Sequence, residues 1–255
     1  MDGSLDNQFE AGPAWKGNVK QVISLSDGGL LVLGQEWVEG ELRPRLRRHR
    51  AEGSLDPDFN PLLQSGSSLN GLAKSADGTV LAVGRFTEFA GEPFTNVVRL
   101  HPDLTVDIAF HPAPDAGELF SAAFALDGRI ALGGVVTNPY PNVSVSVLHP
   151  DGTRDPGFVA PSLNGDTVAR ILFGASGNLI FVTRNSSEPW FEFPDQSLPT
   201  GRVFYSDFAC AAGGATPLLL PGGCVLWAAD STYTLSGGHW LVETLPNGLG
   251  NPDSN

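Results

Sequence analysis

The sequence predicts an all-β protein, a β-propeller of five four-stranded blades in a single domain. Three observations predict it. A seven-residue motif returns about every 50 residues along the 255-residue chain. An Asp-Gly turn flanked by apolar runs returns in phase with that motif. No window carries an apolar period of 3.6 residues, and 31 Gly and 20 Pro punctuate the chain throughout.

The motif reads Gly3-Ser4-Leu5-Asp6-Asn7-Gln8-Phe9 and again Gly53-Ser54-Leu55-Asp56-Pro57-Asp58-Phe59. Altered copies are Leu104-Thr105-Val106-Asp107-Ile108-Ala109-Phe110 and Gly152-Thr153-Arg154-Asp155-Pro156-Gly157-Phe158. Gln196-Ser197-Leu198-Pro199 and Gly248-Leu249-Gly250-Asn251-Pro252-Asp253-Ser254 are decayed copies. The turn is Asp27-Gly28, Asp77-Gly78, Asp127-Gly128, Ser176-Gly177 and Gly222-Gly223, with glycine spacings of 50, 50, 49 and 46 residues. Asp-Gly between apolar runs predicts a hairpin with a two-residue type I′ turn, both central residues at positive φ. The flanking runs, such as Val22-Ile23-Ser24-Leu25 before the first turn and Val80-Leu81-Ala82-Val83 after the second, are apolar on both faces, so each strand is expected to be covered on both sides.

A third strand precedes each motif copy, as in Asn96-Val97-Val98-Arg99-Leu100, and the motif supplies a short fourth. The single domain 1–255 then divides into repeats at approximately 10–59, 60–110, 111–158, 159–202 and 203–255. Residues 1–9 are expected to close the last blade as its outer strand. The alternative is that the chain is cut from a longer array and both ends are boundaries.

Several stretches resemble the bacterial delta-60 repeat family, a β-propeller repeat of unknown function. They are Asp77-Gly78 with Val80-Leu81-Ala82-Val83-Gly84-Arg85-Phe86, Val98-Arg99-Leu100-His101-Pro102-Asp103, and the Gly-Ser-Leu-Asp copies after Asp2 and Glu52. The resemblance is strong over 1–182 and weak over 183–255. It implies the propeller fold and an extracellular or cell-surface setting, and it brings no catalytic residues.

Net charge is −13 and the pI about 4.6, which disfavours nucleic acid and anionic lipid as partners. No run of 18 apolar residues predicts a membrane span, and no basic start with an apolar segment predicts a signal peptide. Arg43-Pro44-Arg45-Leu46-Arg47-Arg48-His49-Arg50 departs from the acidic balance. It reads either as an anion or polysaccharide site or as a solvated strand face paired with neighbouring acids. Cys210 and Cys224 form no disulfide framework, and whether they pair is open. No spacing suggests zinc, and no cofactor or metal is expected. Asp6, Asp56, Asp107 and Asp155 fall one per blade, so they read as turn caps rather than a calcium set. Phe9, Phe59, Phe110 and Phe158 read as plugs between blades.

Two sets of residues are candidate binding sites. The strand before each turn is expected to be innermost, which places Asn18, Ser68, Glu118, Thr167 and Gly213 at the channel mouth, with Gln21, Gly71, Ser121, Arg170 and Thr216 three residues further on. Glu118 is the one carboxylate there, so a paired acid–base mechanism is unsupported. The second set is one aromatic after each second strand: Trp37, Phe89, Tyr140, Trp190 and Tyr233, flanked by Glu36, Glu88, Asn138, Asn185 and Asp230. Exposed aromatic faces stack on sugar rings, whereas packed ones only hold their loop. The expectation is a non-catalytic extracellular binding or display module, a monomer or part of a larger multidomain chain, with a protein or polysaccharide partner. The alternatives are a lectin with sugar pockets at the aromatic loops, or a hydrolase or lyase built on Glu118 and Arg170.

Overall fold

In a computed structural model, Phe9 and residues 15–112, 116–136, 145–158, 160, 167–173, 179–183, 190–193, 202–203, 216–219 and 225–228 are described. They form β-strands in five antiparallel sheets. The first sheet is β1 (Gly17–Ser24), β2 (Leu30–Val38) and β3 (Glu41–His49). The second is β4 (Ser68–Lys74), β5 (Val80–Arg85) and β6 (Val97–Leu100). The third is β7 (Ala116–Phe124), β8 (Ile130–Val136) and β9 (Val145–Leu148). The fourth is β10 (Val168–Phe173), β11 (Leu179–Thr183), β12 (Trp190–Phe193) and β13 (Arg202–Val203), and the fifth is β14 (Thr216–Leu219) and β15 (Val225–Ala228). Each sheet is a meander in chain order.

Among the described residues, a fourth strand is present in the fourth sheet alone, as the two-residue β13, which lies beyond the decayed motif copy at 196–199. In the first three, the motif contributes a single bridge to the end of the third strand: His49 with Leu55, Leu100 with Val106 and Leu148 with Arg154. The Asp that follows bends the chain at once, and the ladder goes no further.

The hairpin turns differ from the expected type I′. Leu25 N–H donates to Gly29 O at 2.8 Å and Gly28 N–H to Leu25 O at 3.2 Å, and the second and third turns repeat this pair at Ser75/Thr79 and Ala125/Arg129. This is a three-residue loop in which only the glycine has positive φ (84°, 93° and 85°), the arrangement of a type I turn followed by a glycine bulge. The aspartate does not need positive φ, because its Oδ1 accepts the N–H two residues on, Gly29, Thr79 or Arg129, at 2.9–3.0 Å. The same loop recurs between the third strand and the motif, at Arg50–Ser54, His101–Thr105 and His149–Thr153. Gly53 and Gly152 take positive φ there, but Leu104 takes it at φ 68° in the second repeat. Leu104 is buried in the core, so the apolar surface it removes from water offsets the strained backbone.

The core lies between sheets rather than within one. Ile23, Leu31, Leu33 and Leu46 of the first sheet pack on Leu69, Leu72, Val80, Ala82 and Val98 of the second. Leu81, Val83 and Val97 pack on Leu119, Ala122, Ile130 and Leu132, and Ala131, Val145 and Val147 pack on Val168, Ile171 and Leu179. Alternate residues of β5 thus face opposite neighbours, and Val80, Leu81, Ala82 and Val83 are all fully buried, as the two-sided apolar runs required. Phe110 is a plug between the second and third sheets, its ring against the backbone of Gly152. Phe59 and Phe158 pack at the edges of the first and third core clusters.

One irregularity recurs in every well-described inner strand. The β1–β2 register skips at Lys20, β4–β5 at Asn70, β7–β8 at Phe120 and β10–β11 at Ala169. Each skip is a one-residue bulge. Opposite it stand Gly34, Gly84 and Gly134, where a Cβ would run into the carbonyl oxygen of Asn18, Ser68 or Glu118. The glycine at this repeated position of the second strand is therefore the space the bulge occupies. Gly84→Ala is expected to cost about 1–3 kcal/mol or more, measured by urea denaturation; an unchanged midpoint would mean the strands need not approach that closely.

The turn carboxylates also set an acid limit. Hydrogen bonds from the Gly29 amide and Arg48 hold Asp27 below the ordinary carboxylate range, and the Ser75 hydroxyl and Thr79 amide do the same for Asp77. The Thr105 and Thr153 hydroxyls lower Asp103 and Asp151 in the same way. A carboxylate whose folded value is depressed contributes stability above its unfolded pKa near 4, and that contribution is lost as pH falls through the folded value. The melting temperature should hold from pH 7 to about 5 and fall below about pH 4; a constant or rising value down to about pH 3 would refute this.

Candidate functional site

The candidate channel-mouth residues sit on the four inner strands β1, β4, β7 and β10, which neighbour one another in that order. Their polar side chains join one sheet to the next. Gln21 Nε2 donates to Leu72 O and Gln21 Oε1 accepts from Leu72 N–H, both at 2.8 Å, so one amide side chain pairs with a backbone residue as a strand would. Ser121 Oγ accepts from Ile171 N–H at 3.1 Å at the equivalent place two sheet pairs later. Gly71 holds the same position in β4 without a side chain, and a Cβ there would lie 2.7 Å from Phe120 O.

Glu118 sits at the centre of a second clasp. Its Oε1 accepts from Ser68 Oγ and from Asn70 Nδ2, each at 2.9 Å. Asn70 Nδ2 also reaches Leu119 O at 2.9 Å, and Ser68 Oγ accepts from Arg85 N–H at 3.2 Å. Asn70 is the extra residue of its bulge, so the irregularity aims its amide at the next sheet. Asn18 is exposed, Thr167 and Arg170 are half-buried, and Gly213 lies outside the described residues. The channel-mouth set thus includes residues brought together (Ser68, Glu118) with a partner that sequence reasoning missed, Asn70. Its position between Ser68 and a glycine was the available signal.

The aromatic set does not share one environment. Trp37 lies within β2 opposite Leu42 and is 60% exposed. Phe89, read either as a stacking face or as a ring packed on its loop, takes the packed form: it is 1% exposed, in the core, with its ring centroid 6.2 Å from that of Phe86. The reason is local: Phe89 pairs with Glu92 around a tight turn with Ala90 at φ 53°, which folds the ring inward. Trp190 opens β12 opposite Val182. Tyr140 and Tyr233 lie outside the described residues, as do Asn138, Asn185, Asp230, Cys210 and Cys224. Of the flanking acids, Glu36 is buried and bonded to Arg47 at 2.6 Å, and Glu88 accepts from Gln64 Nε2 at 2.6 Å.

The arginine-rich strand is a lattice of ion pairs. Arg43 pairs with Glu39 and Glu41, Arg45 and Arg47 with Glu36, Arg48 with Asp27 and Asp56, and Arg50 with Asp56. Arg48 ties the hairpin turn to the motif aspartate. Arg99 repeats only the motif half of this, pairing with Asp107 at 2.7 Å while its guanidinium lies 4.1 Å from the Phe110 ring centroid. Valine replaces the arginine at 147, and Arg129 comes from the hairpin to within 4.0 Å of Asp155. Each motif aspartate also caps its turn, accepting from Asp58, Ala109 or Gly157 N–H at 2.8–3.2 Å. Among the described residues no group of three or more His, Cys, Asp or Glu is placed to hold a metal.

Residues 25–59 and 75–110 match the family model described as Domain of unknown function (DUF5122) beta-propeller. Each stretch runs from hairpin turn to motif phenylalanine and so contains one arginine–aspartate pair of the third strand and the motif, in agreement with the propeller-repeat resemblance read from the sequence. No curated protein matches the chain. Among solved structures, virginiamycin B lyase from Staphylococcus aureus is similar at a TM-score of 0.53 and 14% identity, over 83% of this chain and 63% of that one. A catalytically inactive form of that lyase with quinupristin gives 0.51 and 15%, over 88% and 64%. A protein of unknown function from Bacteroides caccae gives 0.47 and 16%, over 79% and 65%. The chain therefore spans just under two thirds of the length of these structures, and at such identities the likeness is one of fold alone.

If Glu118 serves as a clasp, Glu118→Gln keeps an acceptor for Ser68 and Asn70 and should change stability by less than about 1 kcal/mol, whereas Glu118→Ala should cost about 1–3 kcal/mol. Equal effects of the two substitutions in chemical denaturation would contradict the clasp.

Proposed function

We propose that this chain is a rigid, non-catalytic scaffold of DUF5122 repeats, its five sheets forming the five blades of one propeller, which binds a protein or glycan at the cell surface or outside the cell. The observation that carries this reading is where the inner-strand polar groups go. Gln21, Ser68, Asn70, Glu118 and Ser121 each bond to the neighbouring sheet. A carboxylate held by a hydroxyl and an amide between two sheets is a fastening, and rigidity is what a display surface needs, since a pre-organised site loses little entropy on binding.

The extracellular setting rests on the delta-60 resemblance. The glycan version is favoured by Trp37, whose large exposed ring stands beside the part-exposed Leu42. No cofactor is required.

The test is a glycan array probed with the folded full chain, alongside pull-down from bacterial surface extracts, with heat-unfolded protein as the control. Binding to a defined sugar that weakens at least about tenfold in Trp37→Ala at unchanged melting temperature supports the glycan version. Saturable capture of one surface protein supports the other. Incubation with quinupristin probes the contrary case: turnover that disappears in Glu118→Gln would overturn the non-catalytic reading.

A further inference from the structure

The repeat exposes one place where a cover is missing. The two apolar residues that flank the inner-strand bulge are buried in three consecutive sheets: Leu69 and Leu72 at 0% and 5%, Leu119 and Ala122 at 1% and 7%, Val168 and Ile171 at 0% and 5%. Their counterparts in the first sheet, Val19 and Val22, are 51% and 50% exposed. In each buried case the cover is the preceding sheet, chiefly its second and third strands with one residue of its inner strand.

That cover has a polar component. Leu72 N–H is received by Gln21 and Ile171 N–H by Ser121, in both cases by the residue three pairs before the hairpin turn of the preceding sheet. Val22 stands in the register of Leu72 and Ile171, opposite Val32 as Leu72 is opposite Ala82. No acceptor for Val22 N–H is found among the described residues. The far half of this face is covered in part: Trp15 lies against Gly34, donates to Gln35 O at 2.9 Å and carries Arg47 5.1 Å over its ring, while Val19 opposite Gly34 stays half exposed. The open seat is the half that holds Val22. Whatever fills it must bring a hydrogen-bond acceptor to Val22 N–H and apolar residues beside it.

One sheet of the chain has that pattern in that register. Thr216 pairs with Ala228 as Gln21 pairs with Leu33 and Ser121 with Gly133, three pairs before Leu219 and Val225 flank the turn. Leu218, Leu226 and Ala228 hold the register positions of Ile23, Leu31 and Leu33, the residues that cover Leu69 and Leu72. Threonine offers the hydroxyl that serine offers at 121. Arginine at 170, in the same register, has no acceptor to give.

We propose that the sheet of β14 and β15 seats on the open face of the first sheet, with Thr216 as the acceptor for Val22 N–H, so that the five sheets form a closed ring. This rests on reading the five sheets as one propeller.

Amide exchange of the full chain followed by NMR tests it, because Val22 N–H faces away from β2 and no other group among the described residues protects it. Val22 should exchange at least about a hundredfold more slowly than an unprotected amide, Thr216→Ser should preserve that protection, and Thr216→Val should reduce it roughly tenfold. Val22→Arg should lower the melting temperature by at least about 5 °C, whereas Ile108→Arg, at a residue 67% exposed, should leave it unchanged. An unprotected Val22 amide, with Val22→Arg as harmless as Ile108→Arg, would overturn the proposal. Protection that depends on protein concentration, and that disappears together with a dimer in Val22→Arg, would overturn it in favour of a second copy as the occupant. Either failure would leave partner binding at Trp37 intact, so the binding reading stands or falls separately.

Discussion

An inner strand in this architecture has to satisfy two neighbours at once: the next strand of its own sheet, and the inner strand of the sheet beyond. A regular ladder cannot do both, because its side chains alternate strictly and its amides on the free edge have no partner. The one-residue bulge resolves the conflict. It brings two apolar residues onto the same face across the skip, and it delivers Gln21, Asn70 and Ser121 to the backbone of the following sheet. The opposing glycines, the close contact of Gly71 with Phe120 and the clasp around Glu118 all follow from that single extra residue.

Much of the fold was legible because its signals are local. Asp-Gly between apolar runs marks a hairpin whatever the exact turn, and residues such as Val80 to Val83 announce burial on two faces. The turn type was misjudged because Asp-Gly suits both a type I′ turn and a type I turn with a glycine bulge; the choice is made by the aspartate Oδ1 capping the amide two residues on. The bulge left no compositional trace beyond a glycine on the partner strand, which reads equally as an ordinary strand glycine.

The candidate site was less legible, for a related reason. A repeated polar residue near an axis looks the same in sequence whether it faces a ligand or the next sheet. Only the 50-residue partner distinguishes them, and periodicity conceals it by making every position look alike. The aromatics show the reverse. Trp37 and Phe89 follow their turns at similar spacing, yet one is exposed and the other sits in the core, because the loop after β5 folds back at Ala90 while β2 runs on as a strand through Val38. The arginine-rich strand was read correctly as a paired face; its acids are supplied by the hairpin, the motif and β2, three separate parts of one repeat.

Leu104 shows what has become of the repeats as interchangeable units. Its place in the turn suits glycine, which the first and third copies keep, and averaging the copies into a consensus would restore it. Yet its side chain is buried with Leu100, Phe94 and Val98 in the core shared with the first sheet. A strained backbone has been traded for a packed leucine, and the trade holds only beside that particular neighbour. Moving the second repeat beside another neighbour, or resetting its turn to glycine, would give up the packing that justifies the strain. The copies are alike in sequence period, but burial has given the second a fixed address.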